Sequence, residues 1–157
     1  MEKNSTKSLK WLTGVVAVVG IMAVVGLAAQ TLGFFIGNSI QKEAVWIPNF
    51  EILQGTIAIL RFLAGVTLIV TLIIFMLNSI KGLNNGTLFP RKNISILFCA
   101  AASSFLFLFC NSNVNLILGE SVIHLDFEEI FAPALICTFA IIYRIAVQVS
   151  EENSLTI

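Results

Sequence analysis

Charged side chains are scarce in this sequence of 157 residues: only 11% are Asp, Glu, Lys or Arg, whereas 57% are hydrophobic. A soluble domain of this length needs more polar surface to cover its core, so the composition excludes an ordinary soluble protein. The mean hydropathy of +0.95 is typical of an integral membrane protein. The sequence also lacks a basic arm or stripe, so direct binding of nucleic acid is not expected.

Residues that carry catalysis or hold metals are equally few. The single histidine, His124, has no second ligand at metal-binding spacing. Glu128 and Glu129 are adjacent, so on a helix they point about 100° apart and indicate a solvated helix start rather than a catalytic pair. The cysteines lie in apolar runs without a CxxC pair, which favours a packing role: Cys99, Cys110 and Cys137. We therefore expect no enzyme, no metal site and no cofactor.

Four apolar stretches are each long enough to cross a hydrocarbon core of ~30 Å as a helix. The predicted spans are residues 11–33, 52–78, 94–116 and 129–149. A cleaved signal peptide is the alternative for the first stretch, but its apolar run exceeds the roughly 7–15 residues of such a segment. The short connections favour a single all-α transmembrane domain over residues 1–157, an up-down four-helix bundle in the membrane.

The turn between the second and third spans predicts the orientation. Residues 78–93 contain Lys81, Arg91 and Lys92 and no acidic residue. The positive-inside rule places such a turn in the cytoplasm. Three lysines precede the first span, whereas the outer loops hold a single one, Lys42. Both termini are therefore expected in the cytoplasm.

Arg61 is the only charged residue in the second span. Counted from the outer end of that span it lies ~14 Å deep, near the middle of the bilayer. A cation there costs ~2.5–3.5 kcal/mol on insertion scales, so it should have a partner. One hypothesis is a polar pocket in the outer half of the bundle around Arg61. The other members would be Gln54, Ser104, Asn111 and Asn115, with Glu128 or Glu129 as the counter-charge. Alternatively, Arg61 snorkels outward to an acidic loop residue or a lipid phosphate and only stabilises the fold.

Two short patterns resemble a known family. Gly86, Phe89 and Asn93 form the pattern Gly-x-x-Phe-x-x-x-Asn before an apolar helix, and residues 151–157 read EENSLTI. These features resemble the YoaS-like family of bacterial four-span membrane proteins, a domain of unknown function. The resemblance implies a bacterial plasma membrane and a gene often paired with that of a small helix-turn-helix regulator; it implies no established activity. Pro90 departs from the Ser or Thr helix cap of the family, but proline suits a first helical turn.

These patterns suggest a surface for a cytoplasmic partner, made of Gly86, Phe89, Arg91, Lys92, Asn93, Leu155 and Ile157. Gly86 can close the turn, and Asn93 is expected to bond the loop backbone. The apolar residues at the chain end either dock against the inner loop or await a partner. The favoured function is a non-enzymatic module that binds or regulates a partner, for example by tethering a helix-turn-helix regulator to the membrane. The alternative is a transporter or channel component, or a self-immunity protein, with its path around Arg61. A homo-oligomer is compatible with either function.

Overall fold

A computed structural model describes residues 2–36, 47, 50–87, 89–119 and 122–155, and all regular structure in these residues is helical. The helices are α1 Glu2–Ile36, α2 Glu51–Asn84, α3 Lys92–Ser112 and α4 Phe127–Leu155. Each is long and apolar enough to cross a membrane. The predicted all-α class and the four long helices are thereby confirmed.

The third helix changes its geometry near its end. The sequence left open whether this helix continues or breaks at the polar segment 111–115. In the structure α3 ends at Ser112 and tightens into the 3-10 helix Asn113–Leu116. A 3-10 helix has three residues per turn, so side chains that would share one face of an α-helix diverge there.

Consecutive helices run antiparallel. Arg61 of α2 is bonded to Gln30 late in α1 and to Asn111 late in α3. Asn93, at the start of α3, is bonded to Tyr143 in the second half of α4. The start of α1 and the end of α4 therefore lie at the same end of the structure as the α2–α3 turn, which we call the basic end. The opposite end, which we call the acidic end, contains Glu51, Asp126, Glu128 and Glu129.

The helices pack as a row rather than as a closed ring. Among the described residues α3 packs on α2 and α4, whereas α1 packs on α2 alone. The small residues of α1 recur every three positions, so they drift around the helix and build no continuous face: Gly14, Ala17, Gly20, Ala23 and Gly26. Gly20 packs tightly against Ile69 of α2, but Gly14 and Gly26 have no neighbour within 4 Å of the position of a Cβ.

The core has one apolar cluster near each end. The cluster at the acidic end comprises Phe34, Ile57, Ala58, Cys110, Leu116 and Ile117. The cluster at the basic end comprises Leu97, Ala140, Tyr143 and Val147. The largest side chains that are fully buried are nevertheless mostly polar: Gln54, Asn93, Asn113 and Glu129 accompany Ile117 and Cys110. Buried polar groups need hydrogen-bond partners, so these residues constrain how the helices pack.

Candidate functional site

The turn between α2 and α3 is packed tightly against the end of α2. The N–H of Thr87 donates to the carbonyl of Gly82 at 2.8 Å, and Gly86 has a φ of 76°, which favours glycine. Gly82 is required for a different reason. A Cβ at this position would lie 2.5 Å from Cγ of Pro90 and 2.7 Å from the carbonyl oxygen of Thr87.

Asn93 is completely buried and links three helices. Its Nδ2 donates to Oγ of Ser79 in α2 at 3.0 Å and to Oη of Tyr143 in α4 at 3.3 Å. Each hydroxyl donates in turn to a backbone carbonyl: Ser79 to Phe75 at 2.8 Å and Tyr143 to Pro90 at 3.4 Å. The amide of Asn93 therefore starts two hydrogen-bond relays that hold α2, α4 and the turn together.

Three phenylalanine rings surround Tyr143. Phe75 and Phe89 meet it edge-on, with ring centroids 5.9 Å and 5.6 Å away, and Phe139 lies at 6.4 Å. Such edge contacts are favourable because the positive edge of one ring faces the negative face of the other. Asn93 was expected to bond the loop backbone directly. Its backbone N–H does donate to the loop carbonyl of Pro90 at 3.0 Å, whereas its side-chain amide reaches that carbonyl only through the hydroxyl of Tyr143.

The predicted partner surface is only partly a surface. Gly86, Arg91 and Lys92 are exposed, as predicted. Phe89 is 38% exposed although it packs on Tyr143. Asn93 does not belong to the surface, because its side chain is buried and its amide is bonded to α2 and α4. The side chain of Leu155 and all of Ile157 lie outside the described residues.

Arg61 lies at the acidic end and is only 9% exposed. Its Nε donates to Oδ1 of Asn111 at 3.0 Å, and its Nη2 donates to Oε1 of Gln30 at 3.0 Å. Three helices thus meet at this side chain. Gln30 was not predicted, although a signal existed: it is the only amide side chain in the apolar part of α1.

Two further buried amides fasten the segment that follows α3. Nε2 of Gln54 donates to the carbonyl of Leu116 at 2.6 Å, and its Oε1 accepts from the N–H of Ile47 at 3.1 Å. The amide of Asn113 binds the backbone of His124 twice, because Nδ2 donates to its carbonyl and Oδ1 accepts from its N–H, both at 2.8 Å. This clamp attaches the loop before α4 to the end of α3.

Glu129, at the acidic end, is a buried acidic residue. It is 1% exposed, and neither carboxylate oxygen has a hydrogen-bond partner among the described residues. It begins the inward face of α4, which continues with Ala140, Tyr143 and Val147. Pro133, inside α4, has no N–H for the carbonyl of Glu129 four residues earlier. Burial of a carboxyl group that has no partner among the described residues is costly, so we expect Glu129 to destabilise the packing around it.

The structure assembles only part of the predicted polar pocket. Asn111 contacts Arg61 as expected, whereas Gln54 bonds the 3-10 segment instead. Ser104 is buried but makes no hydrogen bond to Arg61 in the described part of the chain. Asn115 and Glu128 are exposed, and neither Glu128 nor Glu129 forms an ion pair with Arg61 there. Asn115 was misplaced because the predicted face assumed a continuous α-helix through the 3-10 segment.

Comparison with protein-family models, curated proteins and solved structures yields no match. The resemblance to the YoaS-like family therefore stays a prediction. In the described ranges there is no group of three or more His, Cys, Asp or Glu side chains that could hold a metal ion.

Proposed function

We propose that the chain is a multi-pass protein of a bacterial plasma membrane, with the α2–α3 turn and both termini in the cytoplasm. Four helices of sufficient length and hydropathy support the crossing. The concentration of Lys and Arg at one end supports the orientation, since cations are retained on the cytoplasmic side. Lys7 and Lys10 of α1 lie at the same end as the cations of the turn.

In this membrane the protein acts as a non-enzymatic binding module, and its site is the basic turn surface, which we define as Lys81, Arg91 and Lys92. All three side chains are exposed. The observation that carries this proposal is the buried amide of Asn93, which attaches the turn to α2 and α4 while the cations face outward. A surface that is ordered before binding loses less conformational entropy on association.

The chemistry of this surface favours an acidic partner. Residues 78–93 hold no acidic side chain of their own, although Glu151 and Glu152 of α4 lie at the same end. Exposed cations accelerate the approach of a negatively charged protein surface, and added salt weakens that attraction. The helix-turn-helix regulator implied by the family resemblance would present an acidic face, since its DNA-binding face is basic and would be repelled.

Binding of the full-length protein in phosphatidylcholine nanodiscs to the purified regulator encoded beside its gene tests this function. The double variant Arg91→Glu, Lys92→Glu should bind roughly tenfold more weakly, because two attractive charges become repulsive. Lys7→Glu, Lys10→Glu makes the same charge change on α1 and serves as the matched control, with little effect expected. Asn93→Ala keeps every charge but loosens the turn, so it should also weaken binding. Equal affinity for all variants would reject the basic turn surface as the site.

A second function, in transport, channel formation or self-immunity, is favoured by the environment of Arg61. Its cation has only neutral partners among the described residues, so it could attract an anionic solute. However, the groove between α2, α3 and α4, about 510 Å³ in volume, is apolar apart from Thr71 and offers no polar path. Anion flux from vesicles that contain the wild-type protein or Arg61→Gln tests this second function. Flux that is present with the wild-type protein and lost with Arg61→Gln supports transport, whereas no flux with either argues against it.

A further inference from the structure

The positive charge of Arg61 is not balanced by any carboxylate in the described part of the chain. Its two hydrogen bonds end on the amide oxygens of Gln30 and Asn111, which carry no net charge. A neutral acceptor satisfies a donor but leaves the charge of the guanidinium in place. Within the described residues, the charge of Arg61 therefore has no counter-ion.

The guanidinium group is also oriented, and the side chain of Arg61 keeps 9% of its surface exposed. Asn111 binds Nε and Gln30 binds Nη2, so two different helices hold the plane of the group. Nη1 makes no hydrogen bond with the described residues, and it is not fully enclosed by them. Nη1 and the second N–H of Nη2 form the edge that can bind a phosphate or carboxylate with two parallel hydrogen bonds.

Next to the guanidinium the surface is apolar. One helical turn from Arg61, a Cβ on Gly65 would lie 2.7 Å from Cδ1 of Leu27 and 3.1 Å from the ring of Phe107. Because Gly65 has no side chain, Leu27 of α1 and Phe107 of α3 can pack directly on α2. The backbones of α1 and α3 do not approach each other closely in the described residues. A polar group at Arg61 and an apolar chain on Leu27 and Phe107 would thus both find matching surface.

If the cations of the basic end mark one boundary of the hydrocarbon core, Arg61 lies at the height of the opposite headgroups. At 1.5 Å per residue, Arg61 lies ~30 Å from Lys81 on α2, and Asn111 lies ~30 Å from Lys92 on α3. On α1 the distance from the last lysine to Gln30 is also about 30 Å. This distance equals the thickness of a hydrocarbon core. Counted from the cations of the basic end, Arg61 lies near the opposite boundary of such a core, whereas the count from the start of α2 places it near the middle.

We propose that Arg61 is the centre of a phosphate-binding site, in which Gln30 and Asn111 are positioning residues. The phosphate belongs either to the headgroup of an anionic phospholipid, whose acyl chain lies on Leu27 and Phe107, or to free phosphate. The lipid source rests on the proposed crossing of a bilayer. Neither source depends on partner binding by the basic turn surface.

Two measurements on the purified full-length protein in neutral detergent test the site. Native mass spectrometry after incubation with dioleoyl-phosphatidylglycerol measures retained lipid, and a thermal-unfolding series with inorganic phosphate measures binding of the free anion. Arg61→Gln should weaken the binding of the phosphate source about tenfold, as expected for the loss of a charge-assisted pair of hydrogen bonds. Arg144→Gln removes an exposed cation of α4 near the basic end and is the matched control. It should leave both readouts unchanged.

The outcomes separate the two sources. Lipid retention that depends on Arg61, without an effect of inorganic phosphate, supports the phospholipid. Phosphate stabilisation that depends on Arg61, without lipid retention, supports the free anion. Equal retention and equal stabilisation for wild type and Arg61→Gln overturn the site. If Arg61→Gln does not fold, Asn111→Ala and Arg61→Lys replace it, because both keep the cation but lose its orientation; unchanged binding in both would overturn the proposal. Failure of the regulator to bind would leave all these outcomes unaffected.

Discussion

Asn93 is the residue whose replacement most directly tests the packing of the basic end. Its side-chain amide donates hydrogen bonds to the hydroxyls of Ser79 and Tyr143, and each hydroxyl donates a hydrogen bond to a backbone carbonyl. If these relays hold the turn, Asn93→Ala and Tyr143→Phe should each destabilise the protein, and the two effects should not add. Ser103→Ala is a suitable control, since the hydroxyl of Ser103 bonds only to the carbonyl of Cys99 within α3.

The expected magnitudes follow from the bonds that each substitution removes. Nδ2 of Asn93 donates to Ser79, to Tyr143 and, at 3.4 Å, to the carbonyl of Phe75. Its two N–H groups, at a net contribution of ~1 kcal/mol per hydrogen bond, give about 2 kcal/mol. The loss is partly offset because its Oδ1 is buried without a partner in the described residues and disappears with the side chain. Tyr143→Phe removes the bond from Asn93 and the bond to Pro90, again about 2 kcal/mol. Each single variant loses the bond between Asn93 and Tyr143, but the double variant loses it only once. The coupling energy should therefore be about 1 kcal/mol.

Reversible unfolding in mixed micelles of neutral detergent and sodium dodecyl sulfate, followed by far-ultraviolet circular dichroism, measures these free energies. Asn93→Ala combined with Ser103→Ala should be additive to within about 0.5 kcal/mol. A cost below ~0.5 kcal/mol for Asn93→Ala, or additivity of Asn93→Ala with Tyr143→Phe, would refute the relays as the element that holds the turn.

The same unfolding assay tests two further positions. Gly82→Ala should cost ~1–3 kcal/mol, because the new methyl group meets Pro90. Gly14→Ala enters open space and should be neutral or stabilising by up to ~1 kcal/mol; equal effects at the two glycines would contradict the packing of the turn. Glu129→Leu should stabilise the protein by ~1–3 kcal/mol, since it removes a buried carboxyl group without partners. Its exposed neighbour provides the control, and Glu128→Leu should stay within ~0.5 kcal/mol; no gain at Glu129 would mean that its carboxylate is satisfied.

Much of the architecture could be read from the amino acids. An apolar run of about 20 residues must satisfy its backbone polar groups internally, and a helix does so within one segment. The four helices and their alternating direction therefore followed from the lengths of the runs and the short connections between them. The turn at Gly86 was also predictable, because few other residues adopt its backbone conformation. Arg61 was predicted as a candidate site because charge is so rare in these runs.

The partners of the polar side chains could not be read in the same way. Contacts between helices depend on how far each helix is rotated and shifted against its neighbour, and uniformly apolar helices such as α1 carry little information about either. For this reason Gln30 was missed as a partner of Arg61, and Asn93 was assigned to a surface although it lies in the core. The change to a 3-10 helix after Ser112 likewise moved Asn115 away from its predicted face. Hydropathy specifies that a helix forms and how long it is, whereas the rotation and register of packed helices specify which of its few polar groups meet.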